Sequence, residues 1–98
     1  MKNEIRKAMQ ANPCALYSQD GVPETEKRIL FTAVHPRTLW TWTAYEADEV
    51  EMDDILAFGR VDGFESELGY FSVDELLENG VLFEINSKNL LQSSEDMV

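Results

Sequence analysis

The sequence is poor in cysteine, histidine and base: 98 residues include one Cys, one His and eight Lys or Arg. The lone Cys14 excludes an internal disulfide and suits a reducing compartment. Cys14 and His35 together fall short of the roughly four ligands zinc takes, and the pair makes a poor thiol catalyst. After residue 40 only Arg60 and Lys88 are basic, so the clustered cations that grip phosphates are missing. Direct binding to nucleic acid is therefore disfavoured. No stretch approaches the ~20 apolar residues of a membrane-spanning helix. The opening Met1-Lys2-Asn3-Glu4-Ile5-Arg6-Lys7 has no apolar core behind its charges, so nothing marks export and a cytoplasmic protein is expected. A glycine-rich phosphate loop is also lacking: Gly59, Gly63 and Gly69 fall at strand and turn positions.

What is present is a core and a surplus of acid. Hydrophobic residues make up 44% of the chain and include two Trp, five Phe and three Tyr, which excludes a disordered acidic tail. The length suits one domain, residues 1–98. Nineteen Asp and Glu against eight bases give a formal net charge of −11, unevenly placed. Residues 1–40 hold six bases and four acids; residues 41–98 hold two bases and fifteen acids. Between 46 and 54, Glu46, Asp48, Glu49, Glu51, Asp53 and Asp54 crowd together without a base. Such a block repels itself and favours any cation that comes near. The ordinary outcome is a solvated loop; the sharper one is a surface that meets a basic partner.

Periodicity and breakers predict an α+β fold. A helix within 1–12 carries Ile5, Ala8 and Met9 on one side and stops at Asn12-Pro13. A meander sheet of four or five antiparallel strands spans 28–71, with strands over 28–34, 39–46, 55–61 and 64–71. In the second strand Trp40, Trp42 and Ala44 alternate with Thr41, Thr43 and Tyr45, and the acidic block follows as a loop. Asp62-Gly63 reads as a two-residue hairpin turn with positive φ at both positions. Phe64, Leu68 and Tyr70 are expected on the buried face of the fourth strand. Ser72-Val73-Asp74-Glu75 matches a capping box, so a short helix follows and ends at Asn79-Gly80. Residues 81–85 then read as a short edge strand, 87–92 as one more helical turn, and 93–98 as a frayed tail. A monomer or a dimer through the edge strand is compatible with this.

Several of these strings occur together in a known pattern. Leu16-Tyr17-Ser18, Trp40-Thr41-Trp42, Phe58-Gly59, Val61-Asp62-Gly63 and Glu67-Leu68-Gly69-Tyr70-Phe71-Ser72 followed by Glu75-Leu76 resemble the family named domain of unknown function 2958. The likeness runs over roughly residues 13–77, and the string from Glu67 is its most specific part. The resemblance implies a small cytosolic protein of plasmids, integrative elements or phages, often encoded near genes that blunt host restriction. No activity or catalytic residue is established for that family, so none carries over, and no metal or cofactor is expected.

Two classes of function follow. In the first, a non-enzymatic acidic inhibitor of anti-CRISPR or anti-restriction type occupies the basic nucleic-acid-binding surface of a host defence protein by mimicry. Phosphates along one DNA strand lie ~3.4 Å apart, and carboxylates on one strand face repeat at ~6.5–7 Å, about every second phosphate. Its contacts would be Glu46, Asp48, Glu49, Glu51, Asp53, Asp54, Glu65 and Glu67, with Trp40 or Tyr45 as an apolar anchor. In the second, a small ligand-binding module or enzyme uses a pocket of aromatics and carboxylate around Trp42, Glu46 and Tyr70. An accessory mobile-element protein of structural role is a third possibility. Trp40, Trp42 and Tyr70 as a base-stacking platform, Glu65 and Glu67 as a glycosidase-like pair, and residues 48–54 as a weak divalent-cation site are each outweighed by core, solvent-stripe and loop readings.

Overall fold

The computed structural model describes residues 1–11 and 14–85. Along the chain run α1 (Lys2–Ala11), β1 (Phe31–Val34), β2 (Thr41–Val50), β3 (Asp54–Asp62), β4 (Ser66–Ser72), α2 (Val73–Glu78) and β5 (Leu82–Ile85). Single 3-10 turns lie at Glu24–Glu26 and Glu51–Asp53. One antiparallel sheet takes all five strands in the order β4-β3-β2-β1-β5. The first four strands form the expected meander, and β5 returns to pair with β1, so β4 and β5 are the edges. The helical turn expected at 87–92, the tail at 93–98 and the stop at Asn12-Pro13 lie outside the described residues.

The helices cover one face of the sheet. Ile5 and Ala8 of α1 and Val73 and Leu76 of α2 join Phe31, Ala33, Trp42, Ala44, Ala47, Ile55, Ala57 and Phe71 in a single core. Small Ala residues at the strand centres let the helices come close, while the aromatic Phe31 and Phe71 meet edge to face at 6.4 Å. The start of α2 uses the predicted cap: the Glu75 N–H donates to Ser72 Oγ at 3.2 Å. Its end is also as expected. Gly80 takes φ of +78°, its N–H donates to the Leu77 carbonyl, and the Val81 N–H donates to that of Leu76.

Strand β2 departs from simple alternation. Ala44 pairs with Gly59 and Glu46 with Phe58, leaving Tyr45 as an extra residue in a β-bulge. Trp42 and Ala44 face the helices as alternation requires, but after the bulge both Tyr45 and Glu46 point to the opposite face. Gly59 is the partner that permits this. A Cβ there would sit 1.7 Å from the Thr43 carbonyl oxygen. Gly69, which pairs with Gly59 from the other side, has open space where its Cβ would be.

Three expectations are corrected. The acidic block is not a loop: β2 runs on to Val50 and β3 begins at Asp54, so 46–54 is the end of a hairpin whose tip holds Met52 and Asp53 at φ of 64° and 61°. The β3–β4 turn has three residues, since Asp62 pairs with Ser66, and its Gly63 is not at positive φ. Glycine is needed there because a Cβ would press into the Trp40 ring, 2.5 Å from its nearest atom. Finally, Phe64, Leu68 and Tyr70 are exposed rather than buried, at 95%, 43% and 50%. The core takes Phe71 instead, and the helices lie on its side of the sheet.

Gly59→Ala should therefore destabilise the protein by about 3 kcal/mol, because backbone has to move. Gly69→Ala should stay within ~1 kcal/mol of the parent or stabilise it slightly. Urea denaturation of the two variants side by side measures the difference; equal effects would remove the bulge from this account.

Candidate functional site

The residues facing away from the helices are held by a segment rather than by a helix. Residues 14–28 lie over β2 and β3 and are fixed there by polar contacts. The carboxylate of Glu46, 1% exposed, accepts the N–H groups of Tyr17 at 2.7 Å and Gln19 at 2.8 Å. Asp48 accepts the Leu16 N–H at 3.0 Å, and the Ala47 N–H donates to the Cys14 carbonyl at 2.8 Å. The buried side chain of Gln19 donates to the Tyr45 carbonyl at 2.8 Å and accepts the Arg28 N–H at 2.8 Å. Lys27 donates to the Gln19 carbonyl. At the other end of the segment Glu24 accepts from the Tyr45 hydroxyl and from Arg60 Nε, both at 2.8 Å.

The rest of the acidic hairpin grips the two helices. Arg6 of α1 pairs with Glu49 and with Asp53, the latter at 2.7 Å, while Lys2 pairs with Asp74 at 2.9 Å and donates to the Asp53 carbonyl at 2.7 Å. Asp54 receives the Ser72 hydroxyl and, at 3.0 Å, the Asp74 N–H at the start of α2. Burial pushes the Asp54 carboxyl up, but these donors outweigh it and hold the group below its usual range. Glu24 is lowered to about 2, first by its hydrogen bond from Arg60 and then by that from Tyr45. Tyr45 is raised to about 12, first by burial and then by its bond to Glu24.

The ten expected contact residues therefore divide. Glu46 and Tyr45 are buried, so neither serves as a surface contact. Asp48 and Asp54 are half-buried with their acceptors occupied, and Glu49 and Asp53 are matched by cations of α1. Glu51, Glu65 and Glu67 remain exposed and take part in no ion pair among the described residues. Trp40 is half-buried against Trp42, ring centroids 6.4 Å apart. The grouping of Trp42, Glu46 and Tyr70 into one pocket is not formed: Trp42 faces the helices, whereas Glu46 and Tyr70 both flank Phe58 on the other face. That also separates Trp42 from Tyr70 as a stacking platform. Glu65 lies in the turn and Glu67 in β4, so they are not two positions of one strand. No group of three or more metal-ligand side chains occurs among the described residues, and no helix there is long and apolar enough to cross a membrane.

Two surface features emerge that the sequence reading missed. One is the β3–β4 turn with edge strand β4, where Phe64, Leu68 and Tyr70 alternate with Glu65 and Glu67 in the open. Tyr70 packs on Phe58 with ring centroids 5.0 Å apart, and its hydroxyl donates to Tyr17 Oη at 3.1 Å. The other is a cavity of about 370 Å³ at the end of the sheet, lined by His35, Thr38, Trp40, Trp42, Phe64, Leu76, Asn79 and Val81. Phe64 in a turn between two acids was the available signal. It was read as a strand residue because it continues the spacing of Leu68 and Tyr70. Set against protein-family models, curated proteins and solved structures, the chain matches none.

Two outcomes follow from this geometry. Glu46→Ala leaves the N–H groups of Tyr17 and Gln19 without their acceptor and should cost about 3 kcal/mol, with amide exchange at residues 16–20 rising in step. Glu51→Ala, exposed at the hairpin tip, should stay within about 0.5 kcal/mol. The second outcome concerns acid. Because Glu24 is depressed from 4.5 to about 2, its contribution is fully present above pH 4.5 and lost as the pH falls towards 2. After allowance for solvent screening it amounts to about 1 kcal/mol. Glu24→Gln should lower stability by that amount at pH 7 and converge with the parent near pH 2 in urea titrations across pH.

Proposed function

We propose that this is a non-enzymatic binding protein that docks on a basic protein surface of the kind that holds nucleic acid. The supporting observation is the composition of one edge. From residue 61 to 72 there is no base, while Glu65 and Glu67 lie exposed beside the apolar Phe64, Leu68 and Tyr70. Interfaces are anchored by exposed aromatics and steered by surrounding charge. The acids of the hairpin do not supply that charge, since five of its six carboxylates engage this chain's own groups. Docking thus moves from the hairpin to the β3–β4 turn and β4, with Glu51 and Asp62 as outlying charges.

The surplus survives the internal pairing. Lys2, Arg6 and Arg60 are taken up by acids of the chain itself. Asp20, Glu26, Asp62, Glu75, Glu78 and Glu84 join Glu51, Glu65 and Glu67 as exposed acids. The resemblance carried by Glu67-Leu68-Gly69-Tyr70-Phe71-Ser72 supplies the partner class: nucleases of host defence, whose grooves are basic. The action would be inhibition by occupying such a groove in the host cytoplasm, with charge placed as nucleic acid places it.

The measurement is inhibition of DNA cleavage by a panel of restriction endonucleases and guide-loaded CRISPR effectors, titrated from low salt to 1 M in the binding step. Inhibition of at least one member should weaken steeply with salt. Replacing Asp62, Glu65 and Glu67 by their amides should weaken it by about tenfold or more, at roughly 0.5 kcal/mol per exposed charge. Inhibition that persists unchanged at 1 M salt, or in the triple amide variant, would refute the docking edge; no inhibition anywhere in the panel would refute the partner class.

A further inference from the structure

We propose that the cavity between the β1–β2 turn, the β3–β4 turn and the end of α2 is an aromatic cage for an arginine side chain of the partner. This deepens the docking reading above and rests on it for the source of the arginine. The walls are rings at different inclinations. Trp40 and Trp42 are tilted by 39° with centroids 6.4 Å apart, and Phe64 stands at 82° to Trp40 with centroids at 5.3 Å. Trp42 is largely buried in the core and Gly63 covers one face of Trp40, so the surfaces left for a cation are those of Trp40 and of the exposed Phe64 ring. A volume of about 370 Å³ is at the small end of ligand pockets and has room for one arginine side chain.

The cage is built deliberately at two points. Gly63 lies directly against the Trp40 ring, since any Cβ there would intrude to within 2.5 Å of it, so the turn backbone fixes where that wall stands. Phe64 is 95% exposed: the fold gains almost nothing from burying it, yet its ring completes the third wall. The turn below is also ordered by side chains. His35 Nδ1 accepts the N–H groups of Arg37 and Thr38 at 3.2 and 3.3 Å.

Charge decides which side chain fits. Asp62 and Glu65 stand on either side of the Gly63-Phe64 pair, and Glu78 precedes Asn79; all three are exposed. Arg37, the single base on the β1–β2 turn, is exposed and stands in no ion pair among the described residues. No carboxylate lines the cavity itself; the complementarity to a cation comes from these acids one or two residues beyond its lining and from the net charge of −11. Asn79 donates its Nδ2 to the Glu75 carbonyl at 2.7 Å, which turns its amide oxygen into the available acceptor. A guanidinium meets this combination best, because it stacks flat on an indole while its edge still donates hydrogen bonds.

The test needs no partner protein. Acetyl-arginine amide is titrated into the whole labelled chain while the indole N–H resonances of Trp40 and Trp42 are followed by NMR. The uncharged isostere acetyl-citrulline amide and the apolar acetyl-phenylalanine amide serve as comparators. Saturable shifts of both indoles are expected with the arginine probe at ~1–10 mM, about fivefold weaker or worse with citrulline. Phe64→Ala should keep the fold, and Gly63→Ala should move only the Trp40 ring. Each should weaken arginine binding about fivefold with the remaining spectrum unchanged. Equal or tighter binding of the citrulline or phenylalanine probe, or no saturable shift with arginine, overturns the cage. Salt-sensitive nuclease inhibition that persists alongside such a result leaves the docking edge standing. Arginine binding without any inhibition leaves the cage and removes the proposed source of its ligand.

Discussion

A carboxylate buried to 1% exposure with two backbone N–H groups pointed at it is the contact on which the non-helical side of this protein depends. Burying a charge costs several kcal/mol unless its acceptor sites are filled. Glu46 meets that condition only because Tyr45 is an extra residue in β2, which turns Glu46 away from the Ala44 face and towards residues 17–19. The bulge in turn requires Gly59, where a side chain would collide with the Thr43 carbonyl. One glycine thus decides whether residues 14–28 have a surface to lie on. That segment brings Glu24 to Arg60 and Tyr45, and Tyr17 to Tyr70. The second layer of the fold is polar and specified from the sheet.

The division of charge along the sequence has the same origin. The basic first third and the acidic remainder are complementary parts of one molecule: Lys2 and Arg6 reach back across the fold to Glu49, Asp53 and Asp74. A cluster that would repel itself in isolation is stabilised by neighbours supplied from elsewhere in the chain. Asp48 and Asp54 use backbone N–H groups for the same purpose. A dense acidic run is therefore weak evidence for a docking surface until its internal partners are known. The carboxylates left over are better evidence, because no contact within the described residues accounts for them.

Local rules made much of the fold legible. The helix from Lys2, the capped start of α2, its end at Asn79-Gly80 and the four meander strands follow from period, capping and turn chemistry. Those rules failed where a contact distant in sequence overrode them. Alternation put Glu46 beside Ala44, but a bulge depends on a partner strand that periodicity does not see. The spacing of Leu68 and Tyr70 marked a face without saying which side the helices cover, and Phe64, in the turn against Trp40, does not share it. Asp62-Gly63 had the composition of a two-residue turn, yet the glycine answers to Trp40 rather than to positive φ. For the candidate site this meant that Glu51, Glu65 and Glu67 stayed at the surface while Glu46 and Tyr45 did not. The cavity residues His35, Thr38 and Asn79 carried no pattern, since two separate turns bring them together.

The placement of acid on edge strand β4 also bears on what this edge meets. An open strand edge with exposed Leu68 and Tyr70 is a template for pairing with any other strand, including that of a second copy. Pairing two copies through β4 would bring together two segments 61–72 that carry Asp62, Glu65 and Glu67 and no base. Nothing within those segments would offset the repulsion. The basic partner proposed above would meet the same apolar positions with the opposite electrostatic sign, so charge that penalises self-association would favour that complex. Catalysis finds no comparable support in the carboxylates. Glu24 and Asp54 are held below their ordinary range by donors already in place, whereas a general acid working near neutral pH needs a carboxyl pushed upwards. The carboxylates whose electrostatics are most strongly shaped by this fold are shaped to stay ionised and to hold it together, and Tyr45 is shaped to stay neutral as a donor to Glu24. The recognition proposed above therefore rests on the aromatic and acidic side chains that the fold does not use.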